Sequence, residues 1–369
     1  MGAIARFLAG LFGREAKEKG RPEEESEEER IRRALKQGRS VVLGELPRYK
    51  KRPQLVFVGS SKGGVGKSFL AANLVVAVSA LSSSSRTVYA VDLDFDNQTI
   101  GHVLPPEGQV ESFIRRAHNN NLNLLSVADV FEKGLVPRSG DWGIMKFKGH
   151  TVGCSGAQLK YSFLLIPAYD ENRMKEQRII MKSLGMKRLT AGVEALISYF
   201  TEKNASKDVL VLFDGKQKSI LDQDIELINM RLVERSDVFL LVTEPPYLNF
   251  DDLVAPYRGM LEKMIVVVNK ANTSVLDSVL LLINDAINNN VPVFTIPEAS
   301  SDASLYTTYQ RAPAAERLSR PTALHSIALA YFLNLIDDDR LRVAGCDASV
   351  YNILSNYRKL WKLFSEASE

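Results

Sequence analysis

Between residues 53 and 336 the chain alternates two textures. Short runs are apolar at nearly every position: QLVFVGS (54–60), TVYAVDLD (87–94), FLLIPA (163–168), DVLVLFDG (208–215), VFLLVTEP (238–245), MIVVVNK (264–270) and VPVFTIP (291–297). Longer stretches separate several of them, with apolar residues recurring three and four apart, as in SFLAANLVVAVSALS (68–82), RLTAGVEALISYFTEK (188–203) and SVLDSVLLLINDAI (274–287). A strand apolar on both faces needs cover on both faces, so the short runs predict parallel strands sandwiched between helices. The regular alternation predicts an α/β, doubly wound, mostly parallel sheet with helices on both faces.

The flanks carry different patterns. In residues 1–20, Ile4, Phe7, Leu8, Leu11 and Phe12 fall on one helical stripe, with Arg6, Arg14, Lys17 and Lys19 available to a polar face, which predicts an amphipathic helix. Residues 21–52 run from an acidic block into a basic one. Glu28–Arg32 and Glu29–Arg33 are spaced to pair across one helical turn, which suits a charged helix or linker. Residues 133–160 are glycine-rich and read as an insertion, a loop or small hairpin. The tail, 337–369, includes VYNILSNYRKLWKLF (350–364), again with helical spacing. The organisation is therefore a domain over 53–336 with helical extensions at both ends.

Composition narrows the class only slightly. The 369 residues are 45% hydrophobic and 25% charged, as in a globular protein, and the net charge of +3 is too small to argue for a nucleic-acid partner. No apolar run reaches the ~18 residues a membrane span needs. The two cysteines, Cys154 and Cys346, are far apart in sequence and lack metal-ligand spacing, which suggests separate reduced thiols in a cytoplasmic protein.

The chemistry concentrates in VGSSKGGVGKSFLAANL (58–74), a glycine-rich turn between the first strand and a helix. Gly63, Gly64 and Gly66 let the backbone curl so that its N–H groups face an anion. Lys67 is placed to reach the β/γ-phosphates, Ser68 to ligate Mg2+, and the helix from Phe69 onward adds its positive end. This is a phosphate loop. The Asn269-Lys270-Ala271-Asn272 stretch raises guanine as a rival base, but Asn272 offers one acceptor oxygen where two guanine N–H groups ask for two, which favours ATP.

Lys62, at the start of the loop, is one lysine more than a phosphate loop needs. KGGVGKS resembles the deviant Walker A motif of the ParA/MinD ATPases. The resemblance extends over about residues 53–336 and implies a P-loop NTPase sheet that binds ATP and Mg2+ through Gly63, Gly64, Val65, Gly66, Lys67, Ser68 and Phe69. By that resemblance Lys62 reaches the nucleotide of a partner subunit while Lys67 serves its own. VYAVDLDFDNQ then resembles switch I, with Asp94 orienting the attacking water and Asp92 beside the metal. DVLVLFDG resembles Walker B, with Asp214 in the Mg2+ shell. Asn269 matches a base-contacting asparagine, and Pro297 with Glu298 the loop that packs on adenine. The catalytic set implied is thus Lys62, Lys67 and Asp94; the metal set is Ser68, Asp92 and Asp214.

One departure stands out. After Asp214 the chain reads Gly215-Lys216-Gln217-Lys218 where the family runs Thr-Pro-Pro-Gly or similar, which puts hydrolysis in question. Iron–sulfur relatives need paired cysteines, and tail-anchored-protein targeting relatives a methionine-rich helical insertion; neither is visible. Bacterial tyrosine kinases of this superfamily usually lack the extra lysine, and Tyr351 and Tyr357 read as helix-packing residues. The function implied is an ATPase that forms an ATP-sandwich homodimer and cycles on a surface to position a cargo, with an unidentified activating or cargo protein as partner. The surface is membrane lipid, through Ile4, Phe7, Leu8, Leu11 and Phe12, or non-specific DNA, through a basic patch of Arg115, Arg116, Lys182, Lys187 and Arg188. Peripheral-membrane or nucleoid association would follow. The alternative is a scaffold that dimerises on ATP and recruits a partner with little hydrolysis.

Overall fold

The computed structural model describes residues 42–43 and 54–354, apart from 61, 121, 137–141, 203–207, 216–222, 246–248, 272–275 and 310. The stripe at residues 4–12, nearly all of the charged tract, Lys216 to Lys218, Asn272 and Tyr357 lie outside the described residues.

The core is a nine-stranded sheet. In chain order the strands are β1 (Val42–Leu43), β2 (Leu55–Ser60), β3 (Thr87–Asp92), β4 (Met145–Val152), β5 (Gln158–Ile166), β6 (Val209–Asp214), β7 (Val238–Thr243), β8 (Met264–Ala271) and β9 (Val293–Pro297). Their spatial order is β1-β9-β8-β7-β2-β6-β3-β5-β4. The central seven pair in parallel, and one antiparallel strand closes each edge, β1 on β9 and β4 on β5. β2, β6, β7 and β9 are buried at every position, which is why their sequences show no alternation.

Helix α1 (Lys67–Leu81) follows β2 directly and is apolar almost all round. Such a helix must be enclosed. It packs on β5 and between α9 (Pro313–Glu316) and α10 (Pro321–Phe332). Its Asn73 is tied in as well: Oδ1 accepts the Ala314 N–H at 2.9 Å and Nδ2 donates to Phe69 O. The phosphate-loop end of α1 is therefore held rigidly against the sheet.

Residues 145–166 form a hairpin whose strands extend the main sheet. In β4, Met145, Phe147 and Thr151 point inward while Lys146, Lys148 and His150 are exposed, the pattern of a half-buried edge strand. Helix α2 (Gln109–Asn119) blunts that edge, because the Gln109 side chain donates to Lys148 O at 2.9 Å.

The expectation of two separate thiols is overturned. Cys154, in the turn of the hairpin, is disulfide-bonded to Cys346, just after α11 (Asp338–Val343), with Cα atoms 5.0 Å apart across 192 residues of sequence. The fold brings the two segments together: Ser155 N–H donates to Ala344 O, and a side chain at Gly153 would strike that same carbonyl. The start of the tail is thus part of the domain, with Leu341, Ala344, Cys346 and Val350 fully buried. Among the described residues, no helix is long and apolar enough to cross a membrane.

Candidate functional site

β2 delivers the chain to the C-terminal end of the sheet at its centre, where the succession of strands departs to either side. Open α/β sheets bind ligands at such a point. Ser60 Oγ donates to Lys62 O at 2.9 Å and starts the turn, and the loop then passes Gly64 and Gly66 in left-handed conformations. Gly66 has a double reason to be glycine. Its φ is 90°, and a Cβ there would lie 2.0 Å from the Asn269 amide nitrogen. At the mouth of α1 no side chain caps the helix and no acidic residue occupies its first turn. The positive end of the helix is therefore left for an anion.

Lys67 is buried and its ammonium lies 2.7 Å from Asp214 Oδ1 and 3.1 Å from Ser68 Oγ. Asp214 ends β6 and sits in register with Asp92 at the end of β3. Both carboxylates are fully buried. Burial pushes the Asp92 carboxyl well above the usual carboxylate range, and the Asp214 charge beside it adds to the shift. Burial also raises Asp214, with the Lys67 ammonium pulling the other way. Asp92 is spoken for: it accepts the N–H groups of Asp94 at 2.9 Å and Gly101 at 3.0 Å. Asp214 Oδ2, by contrast, is buried with no hydrogen-bond partner among the described residues.

Above these groups lies a cavity of about 410 Å3. It is lined by Lys62, the whole run from Gly63 to Phe69, Asp94, Asn269, Pro297 and Glu298, so one concavity gathers expected site residues from segments far apart in sequence. Asp92 and Asp214 do not line it; they lie buried behind Lys67 and Asp94. Lys62 stands exposed, whereas Asp94 is held by the loop that follows it, accepting from Asp96 N, Asn97 N and the Thr99 hydroxyl. Asn269 Nδ2 donates to Val65 O at 2.9 Å, which leaves its Oδ1 as the acceptor.

Ser68 Oγ and an unpartnered buried carboxylate oxygen, both hard donors, suit a divalent cation. Among the described residues no cluster of three or more His, Cys, Asp or Glu could cage a metal alone. That donor set matches Mg2+, which keeps several waters and takes further oxygens from phosphate.

Several lining residues were not read from the sequence. Tyr306 and Thr307 come from α8 (Ser300–Tyr309), and the Tyr306 ring packs edge-on against Phe69 with centroids 5.0 Å apart. Asn97 and Thr99 follow Asp94. Lys270 stood in plain view within the VVVNK run. Gly215 has a packing explanation: a Cβ there would meet the Phe57 ring at 2.4 Å, so its smallness serves β2. The five basic residues grouped as one patch are spread over three helices. Arg115 and Arg116 are on α2, Lys182 is on α4 (Met174–Ser183), and Lys187 with Arg188 are on α5 (Met186–Thr201). Arg116 lies over the Phe113 ring, and Arg188 donates to Lys133 O.

Residues 56–310 match the family model described as the CobQ/CobB/MinD/ParA nucleotide binding domain. An iron–sulfur cluster carrier protein of Saccharolobus solfataricus is 30% identical over 117 residues, which is 32% of this chain and 38% of that protein. The chain thus spans well under half the length of that curated relative. Among solved structures, a ParA family ATPase from Chlorobium tepidum TLS is 14% identical, with a TM-score of 0.44 over 75% of this chain and 98% of that one. The MinC:MinD cell division complex of Aquifex aeolicus is 17% identical, with a TM-score of 0.45 over 75% and 96%.

Proposed function

The chain belongs to the CobQ/CobB/MinD/ParA nucleotide-binding family, and on that premise we propose that it is an ATPase whose ATP-bound form pairs with a second copy. The observation that supports this best is the buried Lys67–Asp214 contact beneath an uncapped helix end. A lysine paired with a buried carboxylate at the start of the helix is within reach of a loop that would hold the β/γ-phosphates. Asp214 would then be released toward the cation. Ser68 and Asp214 would hold Mg2+, which would supply neutralising charge at the phosphates. Asp94, at the cavity wall, would orient the attacking water. Lys62, exposed at the rim, would cross to the partner's nucleotide. With its amide nitrogen donated to Val65 O, Asn269 offers an acceptor, which suits the adenine amino group.

The surface on which the dimer works belongs to the same proposal, and lipid is favoured. The stripe of Ile4, Phe7, Leu8, Leu11 and Phe12 beside basic residues is what interfacial helices carry. A single short helix binds marginally, whereas two on one dimer gain avidity of ~10²–10⁴. ATP would switch membrane binding on by pairing subunits. The cytoplasmic assignment drew on free thiols, and the Cys154–Cys346 disulfide removes that support.

Phosphate release measured alone, with anionic vesicles and with duplex DNA tests this reading. Turnover stimulated by vesicles, with ATP-dependent co-sedimentation lost in Phe7→Glu/Leu11→Glu, is expected. Stimulation by DNA alone would replace the lipid surface. ATP binding without turnover under any condition would leave the nucleotide-gated scaffold, a reading that the changed residues after Asp214 favour.

A further inference from the structure

At the end of β8 the backbone does something a plain strand would not. Pairing with β9 slips between Val268 and Ala271, and inside the slip Lys270 sits at φ 56°, a left-handed conformation that lysine rarely adopts. Such a conformation persists where surrounding contacts over-determine it. Here the contacts are in view. The Lys270 ammonium donates to Gly64 O at 3.1 Å and pairs with the Glu244 carboxylate at the end of β7. One residue earlier, Asn269 holds Val65 O.

The consequence follows from the planarity of the trans peptide. Its C=O and the next residue's N–H point in opposite directions. A donor that fixes Gly64 O therefore turns the Val65 N–H the other way, and the grip on Val65 O does the same for the Gly66 N–H. A phosphate loop works only if its carbonyls face outward and its N–H groups inward. Resting on the reading of this cavity as a triphosphate site, we infer that Lys270, steadied by Glu244, is a positioning residue that sets the phosphate loop before the anion arrives. Its strained backbone places the ammonium under Gly64. The paired carboxylate makes it an oriented donor instead of a free cation competing for the phosphates.

The test is displacement of N-methylanthraniloyl-ATP, with Mg2+, by ATP and separately by inorganic tripolyphosphate. Because Lys270 acts on the loop, Lys270→Met is expected to weaken both competitors by the same factor, on the order of 10-fold, the scale of one charge-assisted hydrogen bond. Lys270→Gly removes the donor but relieves the left-handed strain. It should bind both ligands as poorly as Lys270→Met while the empty protein melts no lower than wild type, a pattern that a merely structural role would not give. Glu244→Gln should weaken both ligands equally and by less. Loss confined to ATP, with tripolyphosphate unaffected, would make Lys270 a base reader and overturn the inference. Unchanged affinity for both, with wild-type binding intact, would overturn it too and spare the nucleotide reading. Absence of wild-type binding to either ligand would remove the reading and the inference together.

Discussion

At the scale of single residues, the buried ion pair between Lys67 and Asp214 carries the most consequence. Replacing Lys67 with Ala removes, among the described residues, the cation paired with the fully buried Asp214, which lies beside the equally buried Asp92. We expect Lys67→Ala to lose ATP binding in isothermal titration, because the cis phosphate charge loses its main counter-ion. Asp94→Ala has the opposite signature. It should bind ATP normally and lower phosphate release ~100-fold, the usual scale of a general-base or positioning effect. Unchanged turnover would move the water-orienting role elsewhere. That Lys62, Lys67, Ser68 and Asp94 share one cavity was legible because they lie in short contiguous motifs. Lys270 was not, although it stood in the same sequence run as Asn269. Its target, Gly64, is 206 positions away, and nothing in a strand's composition says which loop its last side chain will reach.

At the scale of elements, parallel strands declared themselves and antiparallel edges did not. β2, β6 and β7 are uninterrupted apolar runs because helices cover both faces. β4 carries the alternation of an edge strand, Met145, Phe147 and Thr151 inward with Lys146, Lys148 and His150 outward, but the glycines around it left the segment readable as a loop or a small hairpin, and it is the hairpin that forms, joined to the main sheet. α10 supplies a prediction of its own. His325 is buried on it, with Nδ1 donating to Pro321 O at 2.6 Å and Nε2 without a partner among the described residues. Burial lowers its pKa to about 4. Since the folded value lies below the unfolded 6.5, the folded state binds fewer protons between the two. The stability contribution is whole above pH 6.5 and drains as pH falls toward 4, at about 1.4 kcal/mol per unit and about 3 kcal/mol in all. Urea unfolding at pH 7 and pH 4.5 should show His325→Leu losing markedly less stability than wild type on acidification. An equal loss in both would place the acid sensitivity in other groups.

At the scale of the whole molecule, the Cys154–Cys346 bond ties an edge hairpin to the segment after α11 across 192 residues. Chain-entropy arguments put the constraint on the unfolded state at about 5 kcal/mol for a loop of this length. Cys346→Ser should therefore lower the thermal midpoint under non-reducing conditions. Reductant should lower the wild-type midpoint toward that of the variant and leave the variant unmoved. The bond was illegible in the sequence because pairing depends on which surfaces meet, and two cysteines this far apart give no spacing to read. The same limit applies to assembly. One lysine of the loop is buried in its own site and another stands exposed at the cavity rim, and the proposed pairing of two subunits turns on what that second lysine does. Sedimentation velocity of wild type and Lys62→Ala, each with ADP–Mg2+ and with a slowly hydrolysed ATP analogue plus Mg2+, tests this most directly. The account predicts a dimer only for wild type with the triphosphate, while Lys62→Ala binds the same analogue and stays monomeric. A Lys62→Ala protein that dimerises as tightly as wild type, or a wild type indifferent to nucleotide, would contradict it.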